Sequence, residues 1–221
     1  VVLSGVQIEL WSDYACPWCA LGLYRLEQAR EQFDHGNEIT VVHRAFELDP
    51  GAPAARTQTM GEMLSAKYGM RPEQITASHA QMAELGRQVG FEFNFERAQL
   101  GNTFDAHRVT RLAQGTPGEE ALVRRLFTDY FTEGRLLSDH DTLVEAATAS
   151  GLEEAPVRAL LESDHYAEDV RADEAAARSL DVNGVPFFLI NGKWPVPGAQ
   201  DVETLLLLLQ RAWERTEVTA T

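Results

Sequence analysis

Two cysteines, the only ones in the chain, stand three positions apart in Cys16-Pro17-Trp18-Cys19. Ahead of them runs Val6-Gln7-Ile8-Glu9-Leu10-Trp11, an apolar–polar alternation that predicts a strand. Behind them Leu21, Tyr24, Leu26, Ala29 and Phe33 recur at roughly helical spacing, which predicts a helix over 17–33. Pro17 suits the first turn of that helix, where a missing N–H costs nothing. The pair therefore straddles a strand-to-helix junction. A thiol attacks only as thiolate, and cysteines at helix N-termini ionise at pKa values of roughly 3.5–7.5 rather than about 8.5. Unpaired N–H groups and the helix dipole supply that stabilisation. Cys19 lies about one turn on, on the same face, within reach of Cys16. The expectation is an attacking Cys16 at the exposed end and a more buried, resolving Cys19. Pro17 and Trp18 would tune the redox poise of such a pair, but Cys-x-x-Cys couples in general span roughly −270 to −120 mV, so the dipeptide does not fix a direction of reaction. A structural zinc site would need four ligands. A second cysteine pair is absent and the six histidines are scattered.

Composition narrows the field further. The 221 residues include 34 acidic and 19 basic side chains, a formal net charge of −15. Such a chain repels phosphate backbones and anionic membranes, so no nucleic-acid or membrane partner is expected. Two cysteines exclude a disulfide-stapled scaffold. The longest aliphatic run, 205–209, is far shorter than the roughly 20 residues of a spanning helix. The opening Val1-Val2-Leu3-Ser4-Gly5 has neither a basic nor a long apolar segment, and a cytoplasmic location is expected.

After a turn at His35-Gly36-Asn37, a second strand is expected over 39–48. From 57 to 181 the pattern becomes helix after helix, with helices expected over 60–68, 73–89, 104–114, 119–132, 141–149, 156–161 and 166–180. That block holds 22 acidic and 12 basic residues, the pattern of solvated helix faces. Strand character returns at Val185-Pro186-Phe187-Phe188-Leu189-Ile190, and Asn191-Gly192 is a strong hairpin signal. A returning strand over 193–196, a last helix over 202–213 and a loose tail from Thr216 complete the chain. A strand–helix–strand half followed by a strand–strand–helix half describes an α/β thioredoxin fold. Its expected domain comprises 1–56 and 182–221, with 57–181 as an inserted all-helical domain. Pro186 would cost a buried strand a ladder hydrogen bond, so it needs a reason. In a thioredoxin architecture the Val185–Pro186 bond is cis and faces the cysteines, and Val185 offers backbone groups to an extended substrate.

At this point the chain resembles the FrnE-like branch of the DsbA family of thiol–disulfide oxidoreductases. That branch is related to 2-hydroxychromene-2-carboxylate isomerase and kappa-class glutathione transferases. The resemblance rests on Ser12-Asp13-Tyr14-Ala15-Cys16-Pro17-Trp18-Cys19, Phe46-Glu47-Leu48-Asp49-Pro50 and Asn102-Thr103-Phe104-Asp105-Ala106-His107-Arg108. It continues through Tyr130-Phe131-Thr132-Glu133-Gly134, Gly184-Val185-Pro186-Phe187-Phe188 and Val196-Pro197-Gly198-Ala199-Gln200. It implies that Cys16 attacks, Cys19 resolves, Pro186 is the cis-proline, and the helical insertion covers the active-site face. The isomerase and transferase relatives typically carry serine where Cys16 stands, so the intact pair favours dithiol chemistry.

Asn102 and His107 are two further candidates, as residues lining the cleft over Cys16; Asn102 as a helix cap with Asp105 is the structural alternative. Asp13 is either a turn residue or a carboxylate that moves a proton during resolution. Trp11, Phe46 and Phe187 form either core or an apolar groove. The partner expected is a protein or small molecule bearing a thiol or disulfide. No tightly bound cofactor is expected beyond the redox-active Cys16–Cys19 disulfide, with glutathione as an optional one. Two other functions stay open: a glutathione-dependent isomerase or transferase acting on a small aromatic molecule, and a chaperone-like binding module.

Overall fold

The computed structural model describes residues 5–219. The first four residues of the opening segment, and the last two of the tail expected to be loose, lie outside the described residues. By internal contacts the chain divides into two compact units, Val1–Phe46 with Asp173–Thr221, and Glu47–Ala172.

The first unit is built on a mixed sheet. Its strands are β1 (Val6–Ser12), β2 (Ile39–Ala45), β3 (Phe187–Ile190) and β4 (Trp194–Pro197), in the order β2-β1-β3-β4. β1 pairs parallel with β2 and antiparallel with β3, and β3 pairs antiparallel with β4. The β1–β2 crossover is α1 (Pro17–Gln32), and α9 (Val202–Thr219) packs along it. Two faces follow from the pleat. Ile8, Leu10, Phe188 and Ile190 share one face, and Phe188 lies close to Gly22 of α1. On the other face Trp11, Phe187 and Leu189 pack with Ala177 and Val182. Ala177 belongs to α8 (Ala167–Ser179), whose backbone carbonyl at Asp173 accepts the Trp11 indole N–H at 2.9 Å. Arg44 of β2 ties Glu9 (2.7 Å) and Asp173 (3.0 Å) together on this side.

The second unit is helical. It contains α2 (Met60–Tyr68), α3 (Pro72–Gln88), α4 (Phe104–Ala113), α5 (Glu119–Thr128), α6 (His140–Ala149), α7 (Glu154–Leu161) and the start of α8. A reciprocal Thr59–Glu62 capping box opens α2, and Gly69 closes it in the left-handed region at φ 65°.

Several element ends differ from expectation. β2 stops at Ala45 rather than 48: the Phe46 N–H still donates to the Ser12 carbonyl at 3.1 Å, but Glu47 then turns to Arg171, 2.5 Å away. The helix expected over 119–132 ends at Thr128 and passes into a π-helical turn, Asp129–Glu133. The wider turn accommodates a buried Asp129 carboxylate bonded to Arg125 at 2.8 Å, with Tyr130 and Phe131 also buried. α9 runs to Thr219, so the tail residues from Thr216 to that point are helical.

Candidate active site

Cys16 has extended dihedrals (φ −100°, ψ 112°) and stands as the N-cap of α1, with Pro17 in the first turn. Its carbonyl accepts the N–H groups of Cys19 at 3.0 Å and Ala20 at 3.4 Å, which winds the motif into the first turn of the helix. Both cysteines are free thiols. The Cys16 thiol donates to the carbonyl of Val185 at 3.5 Å, a contact that joins the two halves of the site. The next peptide bond, Val185–Pro186, is cis. β3 begins only at Phe187, two residues later than the sequence predicts: the Val185 carbonyl faces the Cys16 thiol, and Pro186 has no N–H to donate, although its carbonyl still accepts the N–H of Gly198 opposite it at 2.8 Å.

Cys19 is completely buried, whereas Cys16 retains 5% of its surface. Burial pushes the Cys19 thiol well above its ordinary value, and the hydrogen bond with Cys16 and the Cys16 charge push it the same way. The Asp13 charge adds to that effect, while a backbone hydrogen bond at Asp13 opposes it. Asp13 itself is buried. Its Oδ1 accepts the Ala15 N–H at 3.2 Å and its carbonyl accepts the Cys16 N–H at 3.0 Å. Asp13 is thus the turn residue that delivers the chain from β1 into the motif, and it is an electrostatic neighbour of Cys19. Pro17 is half-buried, and Trp18, at 46%, is among the most exposed large apolar side chains described. Trp11 and Phe187 meet edge-to-face at 5.9 Å inside the core, with Phe46 packed against the same cluster, so these three rings are core.

Asn102 and His107 belong to the helical unit. Asn102 Oδ1 accepts the Phe104 N–H at 2.8 Å, and its amide donates to the Ala52 carbonyl at 3.3 Å. The N-cap of α4 is Thr103, one residue later than a cap at Asn102 would place it. Asp105, the expected capping partner, pairs instead with Arg108 at 2.7 Å and His140 at 3.1 Å. His107 is buried within α4. Arg108, also buried, donates to the carbonyls of Leu160 (2.7 Å), His165 (2.8 Å) and Ser163.

Two residues escaped the sequence reading. Gly22 lets α1 approach the cis-proline segment: a Cβ there would stand 3.0 Å from Pro186 Cγ and 3.4 Å from Phe188 Cζ. Arg25 donates to the carbonyls of Ala199 (2.9 Å) and Gln200 (3.4 Å) beyond β4. Gly22 stands three residues after Cys19, on the same side of the helix, whereas no local pattern marks Arg25. Among the described residues no group of three or more His, Cys, Asp and Glu side chains is placed to hold a metal ion.

A family model described as a DSBA-like thioredoxin domain matches residues 7–210. A crystal structure described as a probable DsbA oxidoreductase from Streptomyces coelicolor is 39% identical, with a TM-score of 0.89 over 95% of this chain and 90% of that one. A 2-hydroxychromene-2-carboxylate isomerase is 15% identical, with a TM-score of 0.66 over 95% of each chain. The cytosolic disulfide reductase DsbM from Pseudomonas aeruginosa, solved with GSH, is 18% identical, with a TM-score of 0.58 over 97% of this chain and 98% of that one. The last two similarities speak to the fold alone.

Proposed function

The chain belongs to the DSBA-like thioredoxin domain family, and from that premise we propose that it is a thiol–disulfide oxidoreductase working through Cys16 and Cys19. The observation that carries this reading is the Cys16 thiol resting on the carbonyl of Val185, one residue before Pro186. That places the sulfur beside backbone groups to which an extended peptide can add as a strand. In the reducing direction the Cys16 thiolate attacks a substrate disulfide. A Cys16–substrate disulfide forms and one substrate sulfur leaves as a thiolate. Cys19 then loses its proton and attacks Cys16 Sγ. The second substrate sulfur leaves, and the Cys16–Cys19 disulfide remains. The substrate gains two electrons and the motif loses two; a protein that starts oxidised runs the same steps backwards.

Each nearby residue has a place in this scheme. Val185 supplies backbone pairing and Pro186 shapes it. Pro17 sets the helix start, and the exposed indole of Trp18 offers an apolar contact to an arriving chain. The raised Cys19 thiol needs a base when it attacks, and the buried Asp13 carboxylate is the acceptor we assign. A cytoplasmic setting fits this reading, because isolated reactive thiol pairs in reducing compartments are catalytic rather than structural. No helix among the described residues is long and apolar enough to cross a membrane.

Trapping provides the test. Cys19→Ser should accumulate disulfide-linked adducts through Cys16 when mixed with oxidised protein substrates, visible on non-reducing gels. Cys16→Ser should lose essentially all dithiol-dependent insulin reduction. Full activity in the Cys16 variant would sink the proposal.

A further inference from the structure

Within the sheet-containing unit, a chain of contacts leaves α1 at Cys16 and returns to α1 at Arg25. The Cys16 thiol meets the Val185 carbonyl at 3.5 Å. The next carbonyl, of Pro186, accepts the Gly198 N–H at 2.8 Å. The carbonyls that follow Gly198, of Ala199 and Gln200, both receive the Arg25 Nη1 group, at 2.9 and 3.4 Å. Gly22 lies midway on the same helix face, close to both ends of this path: its Cβ position is 3.0 Å from Pro186 Cγ and 3.5 Å from the Ala199 methyl. Arg25 thus sits outside the reacting atoms but fixes the far side of the loop that holds them.

We propose that Arg25 is a positioning residue for the active site, clamping the 198–200 turn onto α1 so that Val185 and Pro186 stay registered against Cys16. The inference rests on the oxidoreductase reading above. Three features carry it. Arg25 is half-buried, so its guanidinium exchanges water for these two carbonyls. Hydrogen bonds from a charged donor are stronger than neutral ones, which suits a side chain that must hold a turn of backbone. The Gly198–Pro186 bond then transmits the position of the turn to the cis-proline segment over a single peptide unit.

The test compares Arg25→Met, which keeps the length of the stem without its donors, with Arg25→Lys, which keeps one cationic donor. Three quantities are measured on the full chain. These are kcat and KM for insulin reduction, the alkylation rate of Cys16 by iodoacetamide, and hydrogen exchange of the Gly198 amide. A strand-docking site moved by about 1 Å should cost Arg25→Met roughly 10–100-fold in kcat/KM, chiefly through KM. Alkylation, which needs no docked strand, should stay within about threefold of wild type, while the Gly198 amide exchanges at least about tenfold faster. Arg25→Lys should recover most of the loss. Wild-type kcat/KM in Arg25→Met overturns the proposal. So does a loss that Arg25→Lys does not recover, or one that accompanies a collapsed near-ultraviolet circular dichroism spectrum. If the wild-type chain turns over no disulfide substrate, the oxidoreductase reading fails instead, and unchanged Gly198 exchange in Arg25→Met would separately dismiss the clamp.

Discussion

Cys19 is the residue whose environment speaks most directly to measurement. Sealed from water, it holds its proton to higher pH than the same thiol in the unfolded chain. Below about pH 8.5 both states carry the proton, and the contribution of this burial to stability is complete. As pH rises past that value the unfolded chain ionises first, and the contribution is lost until the folded thiol titrates too. The reduced protein should therefore lose up to about 1.4 kcal/mol per pH unit above pH 8.5 from this one group. Urea unfolding at pH 8 and pH 10 under reducing conditions checks it, because Cys19→Ala should remove that part of the slope. A variant as steep as wild type would contradict the burial argument. Asp13 allows a second check at the same scale. Asp13→Asn keeps an oxygen for the Ala15 N–H and so keeps the turn. It should slow resolution by Cys19 at least about tenfold while leaving the first attack by Cys16 near its original rate. Quenched-flow capture should then show mixed disulfide building up; equal decay in both proteins would confine Asp13 to the turn.

Among the elements, α1 sets the geometry of the site, and its Gly22 shows packing overruling propensity. Alanine in a helix interior is ordinarily favoured over glycine by about 1 kcal/mol. Here the added methyl would press on a Pro186 ring whose carbonyl is already held by Gly198. Overpacking of this kind costs about 1–3 kcal/mol, so Gly22→Ala should lower stability by roughly 1 kcal/mol net and reduce insulin turnover. A rise in melting temperature with full turnover would reverse the argument. The same helix marks where sequence legibility stops. Its start was readable because Pro17 and the periodicity of Leu21, Leu26 and Ala29 are local signals. The Asn191-Gly192 turn was equally readable, and both residues adopt positive φ, 51° and 64°. Arg25 was not, because its partners are backbone carbonyls 174 and 175 positions away, and any residue type has a carbonyl. The ends of β2 and β3 were missed for a related reason. Val185 looks like a strand residue, yet its carbonyl faces the Cys16 thiol; Phe46 still bonds to the Ser12 carbonyl, but Glu47 after it turns to Arg171. The π-helical turn at Asp129 was hidden too, since nothing in its local pattern distinguishes it from the helix it extends.

For the whole molecule the dominant long-range property is charge. The helical unit Glu47–Ala172 carries 21 acidic and 12 basic residues, a net of −9 out of −15, which leaves −6 on the sheet-containing unit. Most of the acidity thus lies on the helical unit, and a substrate approaching either unit meets a net negative field. Such a field acts on encounter rates over distances comparable with the Debye length and fades as salt shortens it. The short-range strand pairing proposed at Val185 would not depend on ionic strength in this way. A lysine-rich peptide disulfide should therefore lose about three- to tenfold in kcat/KM between about 20 and about 300 mM NaCl. Oxidised glutathione, a net anion at pH 7, should instead be turned over faster as salt is added. Measuring both substrates across one salt series isolates the field from the chemistry, because in the proposed reaction both end on the same Cys16 sulfur. Parallel responses would show that charge does not select substrates here. A glutathione rate that is high at low salt and falls with added salt would indicate a local cationic subsite strong enough to overcome the field, which is what a glutathione-dependent isomerase or transferase would require.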